Sequence, residues 1–121
     1  MQGVILDFDS VGPSDLDLTK LHDLPVKWKI YPHCSPAQVS ERITDADIVL
    51  INKAPLLAPQ IEQAKCLKLI SIFATGTNII DLKAARERNI IVSNAVSYGT
   101  GSVVQHVWSL ILSLTTKLDE Y

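Results

Sequence analysis

Short apolar runs of strand length alternate along this chain with stretches whose apolar residues recur at helical spacing. Val4 to Phe8 reads as a first strand, and Gly12-Pro13 breaks the loop that follows it. Leu16, Leu18, Leu21 and Leu24 suggest a short helix. Over Val26 to Tyr31, Val26, Trp28 and Ile30 alternate with polar neighbours, the pattern of an edge strand with one wet face. Ser35-Pro36-Ala37-Gln38 predicts a capping box with proline at the first helical position, opening a helix to about Thr44. Ile48-Val49-Leu50-Ile51 is a fully apolar third strand that stops at Asn52-Lys53-Ala54-Pro55. Pro59 then opens a helix to about Cys66.

The stretch from Leu69 to Asp81 organises the rest. A buried fourth strand, interrupted only by Ser71, runs into the small-residue turn Ala74-Thr75-Gly76-Thr77-Asn78, where Gly76 lets the backbone turn closely. Asp81 is placed to cap a helix to Arg88, which carries Arg86 and Arg88 near its end and Asn89 as a left-handed stop. Ile90-Ile91-Val92 is the fifth strand, and Ser93 to Gly101 is a loop. Ser102-Val103-Val104-Gln105 reads as a second capping box, opening the longest helix, which continues to about Leu118.

Five strands alternating with helices predict an α/β fold: a flavodoxin-like parallel five-stranded sheet with helices on both faces, followed by a long C-terminal helix. The carboxyl ends of all strands then share one edge, which gathers Asp7 and Asp9, Asn52 and Lys53, Thr75 and Gly76, and the segment Ser93 to Tyr98. Backbone N–H groups at Gly76 and Thr77 beside the cation of Lys53 suit a small carboxylate ligand. The same residues also read as an ordinary strand-to-helix turn and a solvated loop lysine.

Composition narrows the classes. At 121 residues, 47% apolar and a formal charge of -2, the chain is one globular domain with its own core, and it carries no basic footprint for nucleic acid. Cys34 and Cys66 lack a partner at metal or redox spacing, so the expectation is two reduced, mostly buried thiols and no metal site. The segment Met1 to Asp7 lacks a basic n-region, and no apolar run reaches bilayer length. The reading is of a cytoplasmic protein that uses no membrane.

Two familiar motifs fail. Gly99-Thr100-Gly101-Ser102-Val103-Val104 begins like a dinucleotide fingerprint but has Val104 at the third glycine, and the loop before it is too long for the tight turn. A phosphorylation receiver would use Asp7, Asp9 and Thr75, but Asn52 stands near the acceptor position and no lysine follows the fifth strand.

Taken together, Ala74 to Asp81, Ala84 to Val92 and Ser97 to Gln105 resemble the D-isomer-specific 2-hydroxyacid dehydrogenases. Within them the chain is most similar to the glycerate dehydrogenase or hydroxypyruvate reductase branch, which shares a stretch like Asn52 to Leu56. That resemblance covers nearly the whole chain. It implies that residues 1–100 are the amino-terminal part of a substrate-binding domain, and that residues 101–121 are a long helix leading to an absent NAD-binding domain. It further implies that Lys53, Ala54, Thr75 and Gly76 line the pocket for a small 2-hydroxy or 2-keto acid, and that Thr100 and Ser102 approach the nicotinamide of NAD or NADP.

The family's catalytic Arg, Glu and His, and its glycine fingerprint, lie beyond the last residue here, so no catalytic residue is assigned. His22, His33 and His106 do not match the catalytic histidine. Gly101 and Val104 depart from the acidic residue and the alanine usual in the family. The fragment is therefore expected to be inactive alone, with no cofactor bound by this chain by itself. Val103, Val104, Val107, Trp108, Leu110, Ile111, Leu112, Leu114 and Leu118 make a broad apolar surface, from which a homo-oligomer, such as a dimer, is expected. Alternatively, the helix folds back to cover the sheet. The competing class is a non-catalytic flavodoxin-like binding or interaction module that self-associates through this helix.

Overall fold

The computed structural model describes residues 1–117. Strands β1 (Gln2–Ile5), β2 (Lys27–Ile30), β3 (Ile48–Ile51), β4 (Leu69–Ile72) and β5 (Ile91–Asn94) form one parallel sheet in the order β2-β1-β3-β4-β5. Between them lie α1 (Thr19–His22), α2 (Pro36–Ile43), α3 (Ala58–Gln63) and α4 (Leu82–Glu87), and α5 (Thr100–Thr116) follows β5. The expected fold class is what the chain adopts. The edge position of β2 is also as expected, with Lys27 and Lys29 on the wet side.

Period-2 alternation sorts the central strands. Val49 and Ile51 of β3, and Ile70 and Ile72 of β4, are buried with Val4 against Val39 and Ile43 of α2, Ile61 of α3, and Ala84 and Ala85 of α4. This is the main core. The opposite face carries Ile5, Leu50 and Phe73, and η-type turns at Phe8–Val11 and Pro13–Asp15 together with α1 line a groove over them. On that face Trp28 lies across Gly3: a Cβ at Gly3 would stand 2.4 Å from the indole ring, so glycine is required by space. The indole Nε1 donates to the Leu21 carbonyl at 3.0 Å, which ties α1 to the edge strand.

Helix starts follow the side chains. Gln38 accepts from the Ser35 backbone N–H at 3.1 Å, the glutamine half of the predicted box, and Gln60 does the same for Leu57 at the start of α3. Asp81 accepts from the Ala84 N–H at 3.0 Å, and Asn89 takes the left-handed conformation at φ 56°.

Several expectations are corrected. The first strand ends at Ile5 because the chain turns at Asp7, although Leu6 still donates to the Leu50 carbonyl. The leucine-rich segment after it forms only the single turn of α1, since residues 16–18, which follow two 3-10 turns, are irregular. The third helix stops at Gln63, so Cys66 falls in a connecting turn and is exposed, while Cys34 is half-buried and packs against the core. β5 is shifted to Ile91–Asn94. The second capping box does not form: Val103 N–H already closes on the Gly99 carbonyl, so the helix starts at Thr100 and Ser102 lies inside its first turn. Nor does the long helix fold back, as α5 buries no residue and Trp108 remains 59% exposed. Its expected continuation to Leu118 lies outside the described residues. No helix among the described residues is long and apolar enough to cross a membrane.

At the amino edge of the sheet, Asp47 joins three strands. Its carboxylate accepts from the Gln2 N–H at 2.9 Å and from Lys68 Nζ at 2.7 Å, and its carbonyl accepts from the Lys68 and Leu69 N–H groups. The Lys68 ammonium, with the Gln2 N–H, holds the Asp47 carboxyl below the usual carboxylate range, and Asp47 in turn raises Lys68. The aspartate's contribution is present above its ordinary value and lost as pH falls through the lowered one. The lysine's is present below its ordinary value and lost as pH rises through the raised one. Urea midpoints of the wild type and Asp47→Asn are therefore expected to differ most between about pH 4 and pH 10 and to converge towards acid. A constant difference across the acid limb would contradict this.

Candidate functional site

Because every strand is parallel, the polypeptide leaves β1, β3, β4 and β5 at the same edge. After β1 the buried carboxylate of Asp7 reaches across to the turn after β3. Its Oδ1 accepts from the Asn52 N–H at 2.9 Å, and its Oδ2 accepts from the N–H groups of Lys53 and, at 2.8 Å, Ala54. Asn52 answers in the other direction, donating from Nδ2 to the Ser10 hydroxyl at 2.9 Å and the Ser10 carbonyl at 3.1 Å. Among the described residues Asp7 and Asn52 are the buried polar side chains, and no buried side-chain polar atom lacks a partner.

The β3 turn is then fastened to the β4 turn. Leu56 N–H donates to the Ile79 carbonyl at 2.8 Å and its carbonyl accepts from the Asp81 N–H at 3.0 Å, a bridge between Leu56 and Ile80 that continues the parallel pairing past the strand ends. The β4 turn is held from its other side by β5. Asn94 Nδ2 donates to the Thr75 carbonyl at 2.7 Å, and Thr75 Oγ1 donates to the Ala95 carbonyl at 2.9 Å.

Lys53, Ala54, Thr75 and Gly76 thus stand on neighbouring turns. Ala54 is buried, whereas Lys53 is exposed and forms no ion pair among the described residues. The N–H groups of Gly76 and Thr77 donate to nothing among the described residues, and Gly76 is exposed. Gly76 does not serve by handedness, since its φ is ordinary, and a Cβ there would meet only Asn78 Oδ1, the tip of an exposed side chain, at 2.9 Å. Among the described residues, this edge therefore carries backbone donors without a partner and a lysine without an ion pair.

Thr100 lies near this group, lining with Thr75, Val96, Ser97, Tyr98, Gly99, Val103 and Val104 an open concavity of about 520 Å³. Ser102 does not line it. The histidines stay apart: His33 Nε2 sits 3.3 Å from an Asp9 carboxylate oxygen in solvent, and His22 and His106 are exposed. Among the described residues no group of three or more His, Cys, Asp or Glu is placed to hold a metal. Burial pushes the Cys34 thiol up against the pull of Arg42, so it is no thiolate nucleophile at neutral pH. Sequence reasoning placed Asp7 at this edge but missed that it clamps the Asn52 turn, and it missed Asn94. The only local signals are an acid ending an apolar strand and an amide ending another, because their partners are distant in sequence.

This is a parallel α/β domain whose strand ends share one edge. The family described as D-isomer specific 2-hydroxyacid dehydrogenase, catalytic domain, matches residues 5–117. The chain belongs to that family. It is 36% identical over 117 residues to a hydroxypyruvate reductase of Blautia hydrogenotrophica, covering 94% of this chain and 36% of the relative. It is 35% identical over 120 residues to a glycerate dehydrogenase of Methylorubrum extorquens, covering 98% of this chain and 37% of the relative. The chain thus spans little more than a third of the length of these relatives. The solved structure of an NAD-dependent formate dehydrogenase from Staphylococcus aureus in complex with NAD shares the fold, with a TM-score of 0.77 and 24% identity over 99% of this chain and 38% of that one.

The Asn94 side chain is the external support of the Thr75 carbonyl. Asn94→Ala is expected to lower stability by about 1 kcal/mol and to speed amide exchange at Ala95, whose N–H is bonded to the Ala74 carbonyl. Unchanged exchange at Ala95 would show that the β4 turn is held without it.

Proposed function

We propose that this chain is the substrate-binding part of an NAD(P)-dependent D-2-hydroxyacid dehydrogenase of the glycerate dehydrogenase or hydroxypyruvate reductase kind. Residues 1–100 serve as the substrate domain's amino-terminal part and residues 101–121 as a helix leading to a nicotinamide-binding domain. The observation that carries this reading is the juxtaposition of unpartnered Gly76 and Thr77 donors with the unpaired Lys53 cation on two turns locked together by the Leu56–Ile80 bridge. The names of the two relatives support the choice of a small 2-hydroxy or 2-keto acid.

In this reading the N–H groups at Gly76 and Thr77 hold the carboxylate of the acid, Lys53 adds charge, and Ala54 closes the pocket floor. The concavity beside Thr100 fits a nicotinamide ring, with Val96, Val103 and Val104 as apolar walls and the Thr100 hydroxyl as a polar contact. When bound, that group supplies the hydride. Ser102, two residues on and so turned to the other side of the helix, serves the cofactor side only at its margin. Holding the dinucleotide's phosphates and protonating the carbonyl oxygen need further residues, so the chain by itself binds and orients without turning over.

The test is a titration of the polypeptide, as its gene encodes it, with hydroxypyruvate, followed by the amide resonances of Thr75 to Asn78. Shifts that saturate at millimolar ligand are expected, with Lys53→Ala weakening binding roughly tenfold. No shift at millimolar ligand would favour a non-catalytic module with the same fold.

A second element of the proposal is self-association through α5. Five of its apolar residues, Val103, Trp108, Leu110, Leu112 and Leu114, are more than half exposed, a surface that monomers rarely leave in water. Sedimentation is expected to give a dimer or larger species that dissociates in Trp108→Glu. A wild-type monomer at high concentration would remove this element.

A further inference from the structure

We propose that Asp7 is a positioning residue for the turn Asn52-Lys53-Ala54, a role that rests on the reading of Lys53 and Ala54 as substrate-binding residues. A carboxylate this far from water, 6% exposed, must have its charge answered, and here the answer comes from backbone. The N–H groups of three consecutive residues converge on its two oxygens, at 2.9 Å from Asn52, 2.8 Å from Ala54, and in a shorter contact from Lys53. Consecutive N–H groups meet on one anion only where the backbone curls into a concave turn. Asp7 therefore dictates the shape of a turn more than forty residues away in sequence.

The tie is closed from the other side. Asn52 Nδ2 donates to the Ser10 hydroxyl, and that hydroxyl donates to the Asp7 carbonyl at 2.6 Å. Because the Asp7 charge is engaged by backbone dipoles, it does not neutralise the Lys53 ammonium, which stays in solvent with its backbone fixed. An incoming carboxylate meets a cation on an ordered turn, and the ordering cost is not charged to binding. Asparagine at position 7 has the same shape but sets one acceptor and an NH₂ group against three donors, so at least one arm of the clamp is lost.

The experiment compares Asp7→Asn with wild type and with Ile61→Val, a core change under α3 away from this edge. Without ligand, the amide protons of Asn52, Lys53 and Ala54 are expected to move upfield in Asp7→Asn. Hydroxypyruvate affinity should fall roughly tenfold or more in Asp7→Asn, while Ile61→Val, although less stable, binds as wild type does. Wild-type affinity in Asp7→Asn overturns the role, as does an equal loss in Ile61→Val, which would mark a general effect of stability. If Asp7→Asn does not fold, Ser10→Ala removes the hydroxyl linking Asp7 and Asn52; moved amide resonances of Asn52, Lys53 and Ala54 with affinity unchanged there overturn the role too, and weakened affinity supports it. Absence of binding by the wild type removes the substrate reading itself, a result distinct from binding that Asp7→Asn leaves intact.

Discussion

Parallel pairing is the constraint on which the rest of this molecule depends. A parallel strand must be re-entered from the far end, so each strand delivers its carboxyl terminus to the same edge, and the turns there carry polar backbone that no ladder satisfies. In this chain those groups divide in two. Some are answered by side chains, as Asp7 answers the N–H groups of Asn52 to Ala54 and Asn94 answers the Thr75 carbonyl. Others, the N–H groups of Gly76 and Thr77, are left to solvent. The satisfied groups fix the turns, and the unsatisfied ones are what a ligand can use.

The two faces of the sheet are not equivalent, and the difference comes from the order of the elements. Helices α2, α3 and α4 seal one face with fully buried Val, Ile and Leu, each worth a few kcal/mol by transfer. Among the described residues the other face has only α1 and the short turns before it, gathered over β1 and β2 by the Trp28 indole. Ile91 of β5 is 67% exposed as a result, and α5 leaves the sheet without packing on it. The free energy still to be gained by burial is therefore concentrated beyond β4, on the side from which α5 departs.

What could be read from the sequence was what local chemistry encodes. Ile48–Ile51 announces a buried strand by composition, Ser35 to Gln38 a helix start by capping, and Asp81 to Asn89 a complete helix with both ends marked. The strand order and the convergence at one edge follow from the alternation of elements. Boundaries failed where a neighbour overrides local preference. Ser102 and Gln105 have the residue types of a cap, yet the cap falls three residues earlier, at Gly99. Cys66 looks like a core thiol beside Leu67, but the early end of α3 turns it outward. The Asp7 clamp was invisible for a different reason: it joins residues that no periodicity connects, and only the register of β1 against β3 puts them within reach.

That register also bears on which anion the edge suits. In many α/β proteins the first N–H groups of the helix after a strand receive a phosphate. Here α4 is closed to that use, because the Asp81 carboxylate occupies the Ala84 N–H and sets its negative charge at the helix start, while the Asp81 N–H is bonded to the Leu56 carbonyl. The turn at Gly76 and Thr77 lies upstream of that charge, and Lys53 stands on the adjoining turn. Two backbone donors and one ammonium match the two oxygens and single charge of a carboxylate. A pyrophosphate, with more charge and more acceptors, would need the helix terminus that Asp81 has already taken.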